Sequence, residues 1–316
     1  MSVMVLSLVL AVGVALASGG GELFVRGAVG VATARRIPPA VVGATVAAFA
    51  TSSPELAVGL VAAAGGDGAV ALGDATGSNL VNLGVILGTV VVVLTVEAAR
   101  DDVRRDLVAA MSVLVAVAAL GADGVLDRVD AVALFAGFGV WLTATIRSVR
   151  TWRSDGSRSV AGDGGADPPV GARPIVSLVA GLALLTVGAQ AVVHGGVGIG
   201  EALGWDEFVI GAVIVAVATS TPEIATTIVA VRRGHARLGV AAMVGSNVFN
   251  MSVVVGSAGL VAPLAVPVRS TLLALAFAAV ATVLAWPTRS ARIPRWRGAA
   301  LVAVYAAHLA LVLLTR

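Results

Sequence analysis

The chain says one thing twice. Residues 43–60 read GATVAAFATSSPELAVGL and residues 74–88 read DATGSNLVNLGVILG; residues 211–228 read GAVIVAVATSTPEIATTI and residues 243–256 read MVGSNVFNMSVVVG. The copies align without a gap. Adding 168 carries Thr51, Ser52, Pro54 and Glu55 onto Thr219, Ser220, Pro222 and Glu223, and Gly77, Ser78, Asn79 and Asn82 onto Gly245, Ser246, Asn247 and Asn250. Each copy sets a Pro and a Glu inside a run apolar enough to lie within a bilayer. A carboxylate at that depth is costly and marks function. Outside the polar clusters the two copies match only in being apolar, so the repeat preserves chemistry as well as fold.

Of 316 residues, 58% are hydrophobic and 12% charged, and the mean hydropathy is +1.00. Several apolar runs reach the ~20 residues that cross a bilayer, so the chain reads as an all-α polytopic membrane protein. There is no Cys, which removes disulfides, thiolate metal sites and Cys nucleophiles. All basic residues are Arg, and the net charge is +3. They cluster in short loops between apolar runs, the place of topogenic charge and not of a nucleic-acid surface. The N-terminal run resembles a signal peptide but lacks a basic n-region and continues through Glu22 and Arg26, so it is expected to stay as the first span.

Ten spans are expected, at about 3–33, 39–64, 69–96, 106–121, 129–148, 175–203, 208–232, 238–262, 270–286 and 298–315. Arg35 and Arg36, Arg100, Arg104 and Arg105, Arg147 to Arg173, Arg232 to Arg237, and Arg289 to Arg297 follow the odd-numbered spans, whereas the alternate loops hold Arg128 and Arg269. This asymmetry predicts a multi-pass protein of the cell membrane with both termini outside and odd loops in the cytoplasm. Residues 1–148 then form a first five-helix repeat, 149–174 a Gly-, Asp- and Pro-rich cytoplasmic linker, and 175–316 a second repeat. Five spans is an odd number, so the second repeat enters from the opposite side. The two halves are inverted, with a site expected near the midplane between them.

Pro54 lacks an N–H and should loosen the carbonyls of Ala50 and Thr51, as Pro222 should those of Ala218 and Thr219. Glu55 lies one turn from Thr51. A carboxylate, a hydroxyl and freed carbonyls are hard oxygen donors, suited to Ca²⁺, Mg²⁺ or Na⁺. Two such faces meeting would bring two negative charges, enough for one Ca²⁺. Asp74, Ser78 and Asn82 share a stripe on the third span, matched by Ala242, Ser246 and Asn250 on the eighth. Each Ser or Thr alone is as well explained by a bond to its own helix backbone. Glu22 and Arg26, one turn apart, read as a structural pair. Asp67 and Asp206 sit at loop ends and read as solvated, and the three His form no ligand motif.

At these residues the chain resembles the sodium/calcium exchanger family of the cation/calcium antiporter superfamily, in its prokaryotic form without a regulatory domain. That family carries two inverted repeats with a Thr-Ser-x-Pro-Glu core and a Gly-Ser-Asn-x-x-Asn/Asp segment. The resemblance implies that Glu55 and Glu223 bind Ca²⁺ and one Na⁺, and that Thr51, Ser52, Thr219, Ser220, Ser78 and Ser246 supply oxygens to flanking Na⁺ sites. Asn82 and Asn250 would line the centre. It implies a rigid eight-helix core across which the first and sixth helices slide. Position 250 is Asn where some members carry Asp, and Asp74 stands where Asn is usual, opposite Ala242. Asp74 has three open placements: in the site, hydrated near the outer entrance, or paired with a neighbour. The expected function is secondary active antiport, Ca²⁺ leaving as Na⁺ enters. The alternatives are H⁺ as driver, another divalent ion as cargo, or a passive channel. No nucleophile–base pair or catalytic metal motif suggests an enzyme. The expected partners are membrane lipid and inorganic cations, with no resident cofactor, nucleic acid or soluble protein.

Overall fold

The computed structural model describes residues 2–34, 43–66, 68–93, 96–97, 100–159, 171–202, 215–288 and 292–314. Apart from four two-residue strands this part of the chain is helical. In order it runs through α1 (Val3–Ala34), a π-helical turn at Gly43–Ala47, α2 (Ala48–Thr51) and α3 (Ser53–Gly65). Then come α4 (Gly68–Leu80), a π-helical stretch at Val81–Leu87, α5 (Gly88–Val93), α6 (Arg100–Leu120) and α7 (Arg128–Ser159). The second half has α8 (Ala172–Ala202), α9 (Ala216–Thr219), α10 (Thr221–Arg232), α11 (Ala236–Phe249), a π-helical stretch at Asn250–Val254, α12 (Val255–Val261), α13 (Val268–Leu284) and α14 (Arg295–Leu314). Among the described residues five helices are long and apolar enough to cross a membrane, and the α2–α3 pair, bent by 51°, makes a sixth if counted as one span.

Burial separates these spans. In an 18-residue apolar stretch of each span, 78% is buried in Gly68–Val93 and 94% in Leu238–Val261, against 22% in Val3–Val31 and in Arg128–Arg147. The two buried spans carry the Gly-Ser-Asn clusters, and they form the centre. Leu72, Leu80, Met251 and Val254 fill one apolar core beside them, and Leu87, Leu107, Met243 and Val244 fill another. A mostly apolar helix surrounded by other helices has no polar face to show.

Helices α1 and α8 pack backbone to backbone. A Cβ built on Gly20 would stand 2.7 Å from the Leu185 nitrogen, and one on Gly188 would stand 2.6 Å from the Ala17 nitrogen. Gly27 and Gly181 lie closer still, against the backbones of Leu178 and Phe24. Only the absence of a side chain permits this approach, the usual device for helix association in lipid. Glu22 and Arg26 pair as expected, at 2.7 Å. Glu22 also accepts from Arg233 Nε at 3.0 Å, an ion pair not foreseen, which ties α1 to the end of α10.

Two antiparallel clips join the halves crosswise. β1 (Val96–Glu97) pairs with β4 (Arg292–Ile293), Val96 opposite Ile293. β2 (Val125–Leu126) pairs with β3 (Leu264–Ala265), Leu126 opposite Leu264. Each clip takes one strand from each half.

The expected linker 149–174 is helical as far as Ser159 and again from Ala172. An existing helix extends without a nucleation cost, so the polar TWRSDGSRS segment continues the span before it. Residues 160–170 lie outside the described residues, as do Asp67, Asp206, Arg35, Arg36 and Arg289.

Candidate cation site

Two helix breaks face the two buried spans. Ser52 (φ −85°, ψ 12°) separates α2 from α3, with Pro54 in the first turn of α3. Ser220 (φ −76°, ψ 4°) separates α9 from α10, with Pro222 in the same place. The break falls two residues ahead of each Pro, where the residues before the ring leave helical geometry. The Ala50 carbonyl, expected to be partly free because Pro54 has no N–H, accepts the Ser53 hydroxyl instead, at 2.9 Å.

The breaks, the two Glu and the Ser and Asn of the buried spans converge. Thr51, Ser52, Glu55, Asp74, Ser78, Asn82, Thr219, Ser220, Ser246 and Asn250 are all 0% exposed, and Glu223 is 1% exposed. Asp74 is therefore in the cluster and not at a hydrated entrance. Thr51 Oγ1 lies 3.4 Å from Ser246 Oγ, and its mirror pair, Ser78 Oγ and Thr219 Oγ1, lies at 3.3 Å. Thr51 also reaches the Ala47 carbonyl at 3.0 Å, as Thr219 reaches that of Val215 at 3.0 Å. These are two matching hydroxyl subsites, each built by one broken helix and one buried span of the opposite half.

Between them the symmetry is incomplete. Ser52 Oγ donates to Glu223 Oε1 at 3.0 Å, whereas Ser220 Oγ and both oxygens of Glu55 have no partner. Asn82 Nδ2 donates to Asn247 Oδ1 at 2.9 Å, whereas Asn250 has no partner for either side-chain polar atom. Glu223 Oε2 and Asn82 Oδ1 are also unpartnered. Buried polar groups without partners are costly, buried carboxylates most of all. Here they fall on Glu55, Glu223, Asn82, Asn250 and Ser220, the residues that the repeat singled out.

Asn82 and Asn250 sit within the two π-helical stretches. The stripe of fourth residues expected through Asp74, Ser78 and Asn82 is therefore widened between its second and third members. Such wide turns gather at functional sites. Sequence reasoning gave no role to Asn79 and Asn247, although the repeat had paired them. Asn79 Nδ2 donates to the Asn247 carbonyl at 3.2 Å, and Asn247 Nδ2 returns the bond at 3.3 Å. The signal was available, since both stand beside a Ser of the cluster.

Among the described residues no three His, Cys, Asp or Glu side chains come together as a metal-binding group. The donor set is instead the carboxylates of Glu55, Asp74 and Glu223 with buried hydroxyl and amide oxygens beside them, hard donors that suit hard cations and not a transition metal.

A multi-pass helical membrane protein with such a centre is a membrane cation transporter. The family described as "Sodium/calcium exchanger protein" matches residues 5–147 and 173–314. The chain belongs to that family, and it is not an enzyme. It is 31% identical over 257 residues to the putative antiporter CaxA of Alkalimonas amylolytica, covering 80% of this chain and 79% of that one. It is 32% identical over 230 residues to the inner membrane protein YrbG of Escherichia coli, covering 72% and 71%. Its fold is similar to the sodium-calcium exchanger NCX_Mj soaked with Na⁺ and Sr²⁺, with a TM-score of 0.83 and 25% identity over 98% of this chain and 99% of that one.

Proposed function

We propose that the protein is a secondary active antiporter that exports Ca²⁺ in exchange for Na⁺. The observation that carries this reading is the pair of buried glutamates, Glu55 and Glu223, three of whose four carboxylate oxygens have no partner. Two carboxylates in a water-poor interior balance one divalent ion, and Ca²⁺ takes carboxylate, amide and hydroxyl oxygens in irregular arrays. The flanking pairs Thr51–Ser246 and Thr219–Ser78 supply neutral oxygens, the right charge for Na⁺ entering beside a Glu. Na⁺ and Ca²⁺ then compete for the same carboxylates, and that competition is what couples their fluxes. The name of the similar structure, a sodium-calcium exchanger, supports the ion pair.

In this reading the chain has ten spans in two inverted five-helix repeats, 1–148 and 175–316, joined by the linker 149–174. The exchange of hydroxyl contacts under the 168-residue shift supports that inversion. Helices α1 and α8 move as a pair over a core held by the β clips, exposing the site to one side and then the other. Both termini lie outside the cell membrane and the linker in the cytoplasm.

One experiment tests the reading. Purified protein in proteoliposomes loaded with Na⁺ should take up ⁴⁵Ca²⁺ when diluted into Na⁺-free medium. A pH gradient alone should not drive uptake. Uptake driven by the pH gradient would make H⁺ the counter-ion, and uptake with neither gradient would make the protein a channel.

A further inference from the structure

The repeat places an ion pair at one of its two ends only. Under the 168-residue shift Glu22 and Arg26 of α1 fall on Gln190 and His194 of α8, and Arg233 at the end of α10 falls on Gly65 at the end of α3. The two helix ends are otherwise alike, since Gly234 and its counterpart Gly66 are both left-handed, at φ +77° and +94°. After α10 the His235 N–H donates to the Ala230 carbonyl at 2.7 Å and the Gly234 N–H to that of Val231 at 3.0 Å. This double closure fixes Arg233 as the last residue of the helix. Both oxygens of Glu22 are used. Oε1 accepts from Arg26 Nε and Nη2 at 3.0 and 2.7 Å, and Oε2 accepts from Arg233 Nε at 3.0 Å. Arg233 Nη2 also contacts Oε1, so the guanidinium meets the carboxylate with two nitrogens, the strong form of this contact. Beside the pair, a Cβ on Gly21 would stand 3.1 Å from the Ala225 carbonyl carbon. Ala225 and Val229, in line with Arg233 at every fourth residue, pack against the apolar cluster that holds Phe24, Val25 and Ala28 of α1. Helix α1 thus covers the stretch of α10 between Glu223 and the Arg233 end, while Gln190 on α8 is exposed.

We infer that Glu22 and Arg233 form a latch that holds α1 and α8 in one of their two positions, closing the Arg233 side of the cation site, and that the opposite position has no such latch. The inference rests on the proposed movement of α1 and α8 and goes beyond it by naming what biases that movement. In an inverted repeat the opposite position sets α8 on α3 as α1 now lies on α10. Gln190 would then meet the Gly65 end, where no fixed opposite charges can pair. A contact made in one position alone shifts the equilibrium by its own strength, so the ion-free protein rests with the Arg233 side closed. Arg26 has a different part. It rides on the same helix as Glu22 and stays with it in either position. When α1 leaves Arg233, the carboxylate is therefore not stranded at membrane depth, where an unpaired charge is costly. Arg233 makes the latch selective for one position, and Arg26 makes it releasable.

The test is the rate at which a maleimide modifies Val229→Cys in the purified full chain, with chelator present. The chain has no other Cys, and α1 covers this position while the latch is closed. Adding Arg233→Gln or Glu22→Gln should make modification about 5-fold faster, the effect of losing a partly exposed pair. The two variants read one contact from opposite sides, so either alone decides if the other does not fold. Adding Arg26→Gln should make modification slower than in the Val229→Cys parent, because Glu22 then has Arg233 as its one partner and cannot leave it. A loosened α1 would instead speed all three. Rates unchanged by Arg233→Gln and Glu22→Gln overturn the inference, as does acceleration by Arg26→Gln. A thiol that stays unmodified in every variant overturns it too, since α1 then never leaves α10. Na⁺-driven ⁴⁵Ca²⁺ uptake by the Val229→Cys parent tests the exchange separately. Absent uptake with the expected labelling removes the exchange reading and leaves the latch, whereas normal uptake without that labelling removes the latch alone.

Discussion

Asn79 and Asn247 donate their side-chain amides to each other's main-chain carbonyls, at 3.2 and 3.3 Å. The bonds cross between the two buried spans, each Asn standing beside a buried Ser, Ser78 or Ser246. They hold the two Gly-Ser-Asn segments in register, and the side-chain oxygen of Asn247 then fixes Asn82. Each Asn is at most 2% exposed, so a lost partner is not replaced by water. Asn247→Ala removes both its own donor and the acceptor of Asn82. It should lower the stability of the purified protein by about 2 kcal/mol or more, since each stranded polar group costs ~1–3 kcal/mol. Thermal unfolding in detergent reads this directly. An unchanged transition would mean that the reciprocal bond is incidental.

The carboxylates make a sharper demand. Glu55→Gln and Glu223→Gln each keep the shape of the side chain and remove one of the two charges that oppose Ca²⁺. Each should cut Na⁺-driven ⁴⁵Ca²⁺ uptake about 100-fold or more, the equivalent of the ~3–5 kcal/mol that a broken buried charge pair costs. Both variants should reach the membrane in normal amount, because Gln is a smaller burden there than Glu. Normal exchange in either variant would remove that glutamate from the site.

Much of this centre could be read from the sequence, and the reasons are specific. Glu55 and Glu223 stand out because an apolar run has no other use for a carboxylate, and the gapless repeat supplied their partners. The breaks were legible in Pro54 and Pro222, but not their position, since the ring acts on the residues before it and the local serine chose the free carbonyl's fate. The π-helical stretches at Asn82 and Asn250 were not legible, because no sequence period distinguishes one wide turn from a regular one. The glycines of α1 and α8 carry no pattern of their own. Their meaning appears only when Gly27 meets the Leu178 backbone. The end of α7 at Ser159 was missed because composition marks a polar segment as a loop even where an existing helix runs through it.

Topology has its own test, helped by a chain without native Cys. A single Cys placed at Gly162 should stay unmodified by an impermeant maleimide in intact cells and react after lysis. A Cys at Ser2 should react in intact cells. The opposite labelling would reverse the orientation read from the loop arginines.

The close approach of α1 and α8 predicts a contrast between neighbouring glycines. Gly27→Ala places a methyl group against the Leu178 backbone, whereas Gly19→Ala meets nothing within 4 Å. Overpacking of this kind costs ~1–3 kcal/mol. Gly27→Ala should therefore lower the thermal transition of the purified protein and slow exchange while leaving equilibrium ⁴⁵Ca²⁺ binding in place. Gly19→Ala should resemble the wild type in all three measurements. Equal behaviour of the two variants would show that the helices can separate at no cost, and that the pair does not move as a unit.

The incomplete symmetry of the serines gives the last prediction. Ser52 and Ser220 occupy the same place in the repeat and are both 0% exposed. The Ser52 hydroxyl donates to Glu223 Oε1 at 3.0 Å, and the Ser220 hydroxyl has no partner. With no ion bound, Ser52→Ala would remove the hydroxyl that donates to Glu223 Oε1, so the protein should lose about 1–3 kcal/mol. Ser220→Ala removes a hydroxyl that is already unsatisfied, and it should be neutral or slightly stabilising under the same conditions. Saturating Ca²⁺ changes the comparison, because an ion replaces the hydroxyl as partner of the carboxylate. The deficit of Ser52→Ala should then shrink, and the two variants should converge. Thermal unfolding of the wild type and both variants, with chelator and with Ca²⁺, supplies the six transitions required. If both serines cost the same without ions, the asymmetry between the halves is not a property of the ion-free protein. If Ca²⁺ fails to close the gap, Glu223 is not where the ion binds.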